Sequence, residues 1–217
     1  GYQPIKWVID DTSLDSNTSP CSTSIPIIRY AEILLTYAEA KCELDEFDET
    51  VWNETIKPLR ERAGVDGTMP ATADPYMIEY FLGTVTDNAL LEIRRERGCE
   101  LILENVRWDD DMRWGMGKLA ERPWYGVYVG ELDKAYDMDG DGKDDVCFVR
   151  KEPERPQAGI TYRVLGDDFS LTDGDSGYIE CYIRMNRKWD DKKYVRPIPT
   201  TALNDNPALG QNPGWKK

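Results

Sequence analysis

Several residue types and patterns are missing from this chain of 217 residues. It has no histidine, which excludes catalytic arrangements built on an imidazole base and zinc sites with histidine ligands. No apolar run approaches the roughly 18 residues that a membrane-spanning helix needs. The five cysteines include no CxxC pair, and their odd number leaves at least one thiol free.

The charge balance is strongly acidic. Lysine and arginine number 27 against 41 aspartates and glutamates, so the formal net charge is −14. Such a field repels phosphate groups and argues against nucleic acid and anionic lipid as partners. The chain is 40% apolar and carries 7 Trp, 12 Tyr and 4 Phe, which is typical of a folded protein with a core.

The first half of the chain has the periodicity of paired helices. A helical face is formed by Ile27, Ala31, Leu34, Leu35, Ala38 and Cys42. A second face follows after a short acidic turn, at Trp52, Ile56, Leu59 and Ala63. Pro58 falls within this second segment and predicts a kink or a late start there. Two antiparallel helices with so short a connection form a helical hairpin, the unit of superhelical repeat proteins.

Three more helices are predicted in the first half, over 74–82, from about Asp87 to Glu104, and over 107–114. The middle one carries three glutamates four residues apart, interleaved with arginines, namely Glu96, Glu100 and Glu104 with Arg94, Arg95 and Arg97. This spacing favours structural salt bridges along the helix surface over a catalytic carboxylate pair.

Beyond residue 115 glycine and proline become frequent and short apolar alternations appear. They predict short strands at 125–129, 146–149, 160–165 and 178–185. We therefore expect one domain over 1–217, with a helical core at 27–121 and a loop-rich part at 122–217 that ends in an irregular tail.

Four motifs in this order resemble those of the SusD/RagB family. They are Arg29-Tyr30-Ala31-Glu32 with Tyr37-Ala38-Glu39-Ala40, then Arg60-Glu61-Arg62-Ala63-Gly64, then Ile93, Glu96-Arg97, Glu100-Leu101, Glu104, Arg107 and Asp111-Met112-Arg113-Trp114, and finally Pro197-Ile198-Pro199, Asn206-Pro207, Leu209 and Gln211-Asn212-Pro213-Gly214-Trp215. Asn105, where the family usually has glycine, is one departure.

The resemblance implies a mostly α fold, with tetratricopeptide-like helical hairpins and a loop-rich subdomain containing a few short β-strands. It implies a non-catalytic, surface-exposed lipoprotein of the outer membrane of Bacteroidetes that binds oligosaccharides for nutrient uptake. The partner would be a TonB-dependent, SusC-like transporter. Family members are longer, so this chain resembles their C-terminal portion, with the signal peptide and the lipid anchor outside it.

An acidic loop at 137–145 has the spacing D-x-D-x-D-G-x-x-D. Ca²⁺ takes six to eight oxygen ligands, and such a loop supplies them from alternate side chains and one main-chain carbonyl. The predicted ligands are the side chains of Asp137, Asp139, Asp141 and Asp145 and the main-chain oxygen of Lys143. Phe148 stands where an EF-hand has its bidentate glutamate, so we predict a structural calcium loop that leads into a strand. The alternative is a solvated acidic turn.

A second candidate site is aromatic. Trp124, Tyr125 and Tyr128 lie close together between glycine and proline residues, just past the helical core. Exposed rings stack on the C–H faces of sugars, so these three residues are candidates for glycan binding. The alternative is that the rings pack the core of the subdomain.

The function indicated is glycan capture without catalysis. Two alternatives remain at this point. One is a polysaccharide hydrolase with two carboxylates across a cleft, one of them with a raised pKa. The other is a structural or interaction module whose aromatic rings are all buried.

Overall fold

The computed structural model describes Lys6 and residues 26–166 and 169–216. Within these ranges the chain forms two compact units. The strand unit is Ala120–Lys193, and the helical unit comprises the described residues up to Leu119 together with 194–216. The division at 119/120 lies close to the predicted start of the loop-rich part, but the closing tail groups with the helices. That all of 1–217 forms a single domain stays a prediction.

The helical unit contains seven α-helices among its described residues. They are α1 (Tyr30–Glu43), α2 (Glu49–Glu54), α3 (Ile56–Arg62), α4 (Pro75–Tyr80), α5 (Asn88–Glu100), α6 (Arg107–Arg113) and α7 (Thr200–Asp205). Aspartates cap three of them, because a short acceptor side chain satisfies a free N–H of the first turn. Asp48, Asp74 and Asp87 accept hydrogen bonds from the backbone of Val51, Tyr76 and Leu90.

The start of the first helix was predicted three residues too early. Arg29 is the N-cap, with an extended backbone, and Ile27 is 95% exposed instead of lying on the buried face. Arg29 is held outside the helix by its side chain, whose guanidinium forms ion pairs with Glu100 and Glu104. A long-range ionic contact therefore decides where α1 begins, and local periodicity does not report it.

The second predicted helix is divided into α2 and α3 by Thr55, as Pro58 indicated. Pro58 has no N–H to donate to the carbonyl of Glu54 four residues earlier, so the helical ladder is interrupted there. The apolar residues of both helices remain buried despite the break. Trp52, Ile56 and Leu59 share one buried cluster with Ala31, Leu35 and Ala38 of α1, so the predicted side-by-side pairing of these helices is confirmed.

The charged residues of α5 form salt bridges, but their partners were predicted wrongly. Instead of pairing mainly along the helix, the glutamates contact cations from other segments. Arg60 binds Glu92 and Glu96, with N···O distances of 2.6 and 2.9 Å. Helical spacing shows which charged residues lie on the same face of α5. Only the tertiary packing shows which other segment supplies the partners of that face.

The strand unit contains two three-stranded sheets. The first has the order β1-β6-β5 and is antiparallel, and the second has the order β2-β3-β4, with β3 and β4 parallel. The strands are β1 (Trp124–Val129), β2 (Ala135–Tyr136), β3 (Val146–Val149), β4 (Thr161–Val164), β5 (Phe169–Leu171) and β6 (Gly177–Cys181). Their shared core is Val127, Val129, Phe148, Leu171 and Ile179.

Helices in one unit and short strands in the other confirm the coarse fold prediction, and the tetratricopeptide-like arrangement stays a prediction. Two short strands, β2 and β5, were not predicted because two or three residues are too few to show an alternation. In the described ranges, no helix has the length and apolar character needed to cross a membrane.

Candidate functional site

An aromatic surface lies on the antiparallel sheet of the strand unit. Tyr125 and Tyr128 of β1 pair with Glu180 and Tyr178 of β6. Paired residues share one face of a sheet, and so do residues two apart on a strand, so all four lie on the same face. The ring of Tyr178 lies 6.4 Å from that of Tyr125 and 5.3 Å from that of Tyr128, centroid to centroid. We call Tyr125, Tyr128 and Tyr178 the tyrosine cluster.

A β-bulge at Gly126 brings the tyrosines onto one face. Two residues lie between the paired positions on β1 but only one lies between them on β6, so β1 accommodates one additional residue. A Cβ atom at Gly126 would lie 3.2 Å from the Cβ of Ile179, which is closer than ordinary contact. Glycine therefore lets the two strands approach here, while Val127 remains in the core.

All three rings of the cluster are accessible. Tyr125 is 57% exposed, Tyr128 58% and Tyr178 52%. The neighbouring carboxylate of Glu180 adds a hydrogen-bond acceptor that lies 3.4 Å from the hydroxyl of Ser170. The surface therefore combines aromatic faces with polar groups, which is the combination that sugar rings and their hydroxyls require.

Trp124 is separated from the two predicted tyrosines. It pairs with Cys181 and so faces the opposite side of the sheet from Tyr125. Its ring is 55% exposed and packs edge-on against Tyr182 at 5.4 Å, with the guanidinium of Arg187 at 5.2 Å from the ring centroid. The three predicted aromatic residues are therefore exposed, but they belong to two surfaces.

Tyr178 and Tyr182 were missed as site residues. Both lie more than 50 positions from Trp124. Only the pairing of β1 with β6 brings Tyr182 next to Trp124 and Tyr178 next to Tyr128. The available signal was the alternation predicted at 178–185, which marked the strand without showing which strand it joins.

The acidic loop connects β2 to β3. Because Tyr136 pairs with Val146, the two ends of the loop are held together, and Asp137 and Asp145 meet. The carboxylate oxygens of Asp137, Asp139 and Asp145 lie within 4.8 Å of one another. Gly140 and Gly142 have φ values of +82° and +86°, which a glycine adopts without strain and which produce the sharp turn.

One of the predicted calcium ligands, Asp141, is arranged differently from the other carboxylates. The carboxylate of Asp141 lies outside the group of three and is 3.1 Å from the ammonium of Lys143. Asp137 accepts hydrogen bonds from the backbone N–H groups of Gly142 and Gly140, and these bonds lower the pKa of its carboxyl group. The segment from Glu131 to Cys147 holds seven acids and two lysines, so three carboxylates gather in a strongly negative environment.

Comparison with known proteins shows the family. The sequence profile of the SusD family matches residues 1–215, and the chain belongs to this family. No curated protein and no solved structure matches the chain.

Proteins of the SusD family are in general non-catalytic glycan binders that act in nutrient uptake. They are typically lipoproteins at the surface of the outer membrane, and the family in general associates with SusC-like transporters. The predicted family is thus confirmed, whereas the ligand-binding and metal residues of this chain remain predictions.

Proposed function

We propose that this protein captures an oligosaccharide at the cell surface and passes it, without cleaving it, to a SusC-like TonB-dependent transporter. The observation that carries the proposal is the tyrosine cluster, in which three residues more than half exposed share a sheet face and the ring of Tyr178 neighbours the other two. Membership of a family of glycan binders supports the ligand class.

The tyrosine cluster has the properties of a sugar platform. Exposing three large aromatic rings together is unfavourable unless a ligand or partner covers them, so such a patch indicates a binding surface. The rings of Tyr125 and Tyr128 are tilted by 50° and 74° to that of Tyr178. The rings are therefore not coplanar, and successive residues of a sugar chain could each meet a ring in a different orientation.

Trp124 is a second aromatic contact for the glycan in this proposal. It is the first residue of β1, an edge strand, and its indole faces the side of the sheet opposite the tyrosine cluster. The edge of the sheet therefore separates the two aromatic surfaces. A sugar chain long enough to pass this edge would contact both surfaces, and a short one would contact only the tyrosine cluster.

Calorimetry with a panel of polysaccharides and oligosaccharides tests the platform. We expect Tyr128→Ala and Tyr178→Ala each to weaken binding by about tenfold, the loss typical of a central aromatic contact. Tyr30→Ala is the control, because Tyr30 is a tyrosine of the helical unit that is 74% exposed and lies outside the cluster. Equal affinities for all three variants and the wild type would contradict the tyrosine cluster as the binding surface.

The hydrolase alternative is tested with the same panel. We expect no release of reducing ends by the wild-type protein. Turnover that disappears when one carboxylate is replaced by its amide would refute the non-catalytic assignment.

We also propose that the acidic loop binds Ca²⁺ through Asp137, Asp139, Asp141 and Asp145 and the main-chain oxygen of Lys143. The fit of the donors supports this, since three carboxylates already converge and hard oxygen ligands suit this cation. Asp141 would have to exchange its ion pair with Lys143 for the metal. The role would be structural, because the cation neutralises the loop between β2 and β3.

Thermal melts with Ca²⁺ and with EDTA test the metal. A ligand that binds only the folded state raises the melting temperature by mass action. We expect Ca²⁺ to stabilise the wild type and to have little effect on Asp139→Asn, while Glu154→Gln, an exposed acid outside the loop, responds as the wild type does. A melting temperature that is indifferent to Ca²⁺ and EDTA would contradict the site.

A further inference from the structure

A cavity of about 500 Å³ in the helical unit lies outside both candidate sites. Its wall is largely apolar and is formed by α4, by α5, by the turn that follows α5 and by the first residue of α6, with Tyr80, Ile102 and Leu103 among the lining residues. Volumes of about 300–1,000 Å³ with mainly apolar walls and a few polar groups are characteristic of small-molecule sites.

The charged residues of this cavity are all of one sign. Four arginines line it, at positions 94, 95, 97 and 107, and no aspartate or glutamate of the described residues does. In a chain with a net charge of −14, such a wall is unusual. It attracts an anion and repels a cation.

Three of these arginines already have carboxylate partners outside the cavity wall. Arg95 forms an ion pair with Asp74 at 2.5 Å, Arg97 with Asp110 at 2.9 Å and Arg107 with Asp111 at 3.0 Å. These arginines shape the electrostatic field, but their charges are largely compensated.

Arg94 is different. It is only 6% exposed, it forms no ion pair with any residue in the described part of the chain, and its Nε and Nη1 make no hydrogen bond there. A buried guanidinium stays charged, and leaving it without an anion is costly. Burial lowers its pKa, although the nearby carboxylates of Glu39 and Glu43 oppose that effect.

Aromatic contacts hold Arg94 in place without satisfying its N–H groups. The guanidinium carbon lies 4.5 Å from the ring centroid of Trp114 and 5.4 Å from that of Phe81. Arg94 also borders a second cavity, but Glu39 and Glu43 line that one and disfavour an anion. The all-arginine cavity, which neither of these carboxylates lines, is therefore the side of Arg94 on which an anion is favoured.

We propose that this cavity binds a small organic anion, a carboxylate attached to an apolar chain or ring. The carboxylate lies against the positive wall that Arg94, Arg95 and Arg107 form, and the apolar body lies against Tyr80, Ile102 and Leu103. This site is independent of glycan capture by the tyrosine cluster, so either proposal can fail without the other.

Three probes test the proposal on the wild-type chain. Octanoate supplies both the charge and the apolar body, octanol supplies the body without the charge, and acetate supplies the charge without the body. We expect octanoate to raise the melting temperature and to bind at least tenfold more tightly than either of the others, as measured by calorimetry. A response to octanol or acetate equal to that to octanoate overturns the proposal.

Two matched variants locate the site. Arg94→Met removes the charge and keeps an apolar side chain of similar length, and we expect it to weaken octanoate binding at least tenfold. Arg155→Met, at an exposed position of the strand unit, should bind octanoate as the wild type does. Unchanged binding by Arg94→Met overturns the assignment.

The stability of the ligand-free variants separates a binding role from a structural one. Replacing a buried charge that has no ion-pair partner with an apolar side chain removes the cost of keeping that charge out of water. We therefore expect the melting temperature of Arg94→Met to be close to that of the wild type. A large fall would show that Arg94 is a structural cation and would overturn the proposal.

A comparison of octanoate with 4-ethylbenzoate then distinguishes an acyl ligand from an aromatic one.

Discussion

Asp110 offers a direct test of how the helical unit is held together. This residue of α6 is 3% exposed and accepts two hydrogen bonds of 2.9 Å from the guanidinium of Arg97, which is 5% exposed. It also accepts a bond from Arg113, which keeps Glu39 as a second partner. Asp110→Asn preserves the size of the side chain, removes its charge and leaves Arg97 with only the more distant carboxylate of Glu39, 3.8 Å from its Nε.

The expected loss follows from this burial. Breaking a buried ion pair on one side costs about 3–5 kcal/mol, because the remaining charge loses its hydrogen-bonded partner. For a domain of this size, about 2–4 °C are lost per kcal/mol, which predicts a fall in melting temperature of roughly 6–20 °C. The transition of the helical unit is followed by circular dichroism at about 222 nm, where α-helices have a minimum.

The matched control is Asp175→Asn. Its carboxylate binds Arg150 with similar geometry, at 2.8 Å from Nε, but the two side chains are 74% and 62% exposed. An exposed pair contributes about 1 kcal/mol or less, so this variant should melt close to the wild type. Combining Asp110→Leu with Arg97→Met removes both charges and should restore most of the lost stability. Equal losses for the buried and the exposed pair would refute the reasoning.

Three further changes should have separable effects. Asp87→Ala removes the cap that accepts the N–H of Leu90, and we expect α5 to lose about 1 kcal/mol in urea unfolding. Gly142→Ala places a Cβ at φ +86°, which should cost about 1–2 kcal/mol and weaken the response of the melting temperature to Ca²⁺. Burial alone would raise the pKa of Glu100, but hydrogen bonds from Arg62 and Arg29 outweigh it and hold that pKa below 4.5. The stabilising contribution of Glu100 is thus complete above pH 4.5 and lost as the pH falls through the lowered pKa. In acid titrations the free energy of unfolding of Glu100→Gln should therefore depend less on pH than that of the wild type.

Local signals predicted much of the helical unit. Pro75 and the Asp74 cap place the start of α4, and Pro58 accounts for the break between α2 and α3. These features act within one turn of the chain, so they can be identified without knowing the fold. The boundary at Arg29 was missed because its cause is a pair of carboxylates more than 70 positions away.

The candidate sites divide in the same way. The acidic loop was predictable as a set of residues because the proposed calcium ligands lie within nine consecutive positions, 137–145. The tyrosine cluster was predicted only in part, since Tyr178 joins Tyr125 and Tyr128 through a strand pairing across 50 residues. The lack of an ion pair at Arg94 was not predictable. The glutamates near it on α5 are potential partners by their spacing, but they bind arginines from other segments.

The amino-acid sequence by itself determined the family, most helices, the position of the acidic loop and the presence of aromatic residues after the helical core. These depend on spacing, capping and turn chemistry, which are short-range. The tertiary structure alone decided which arginine meets which glutamate, which aromatic rings share a surface and which cation is left without an anion. Those outcomes depend on contacts between distant segments, where the burial of a charge or a ring is a property of the packed chain.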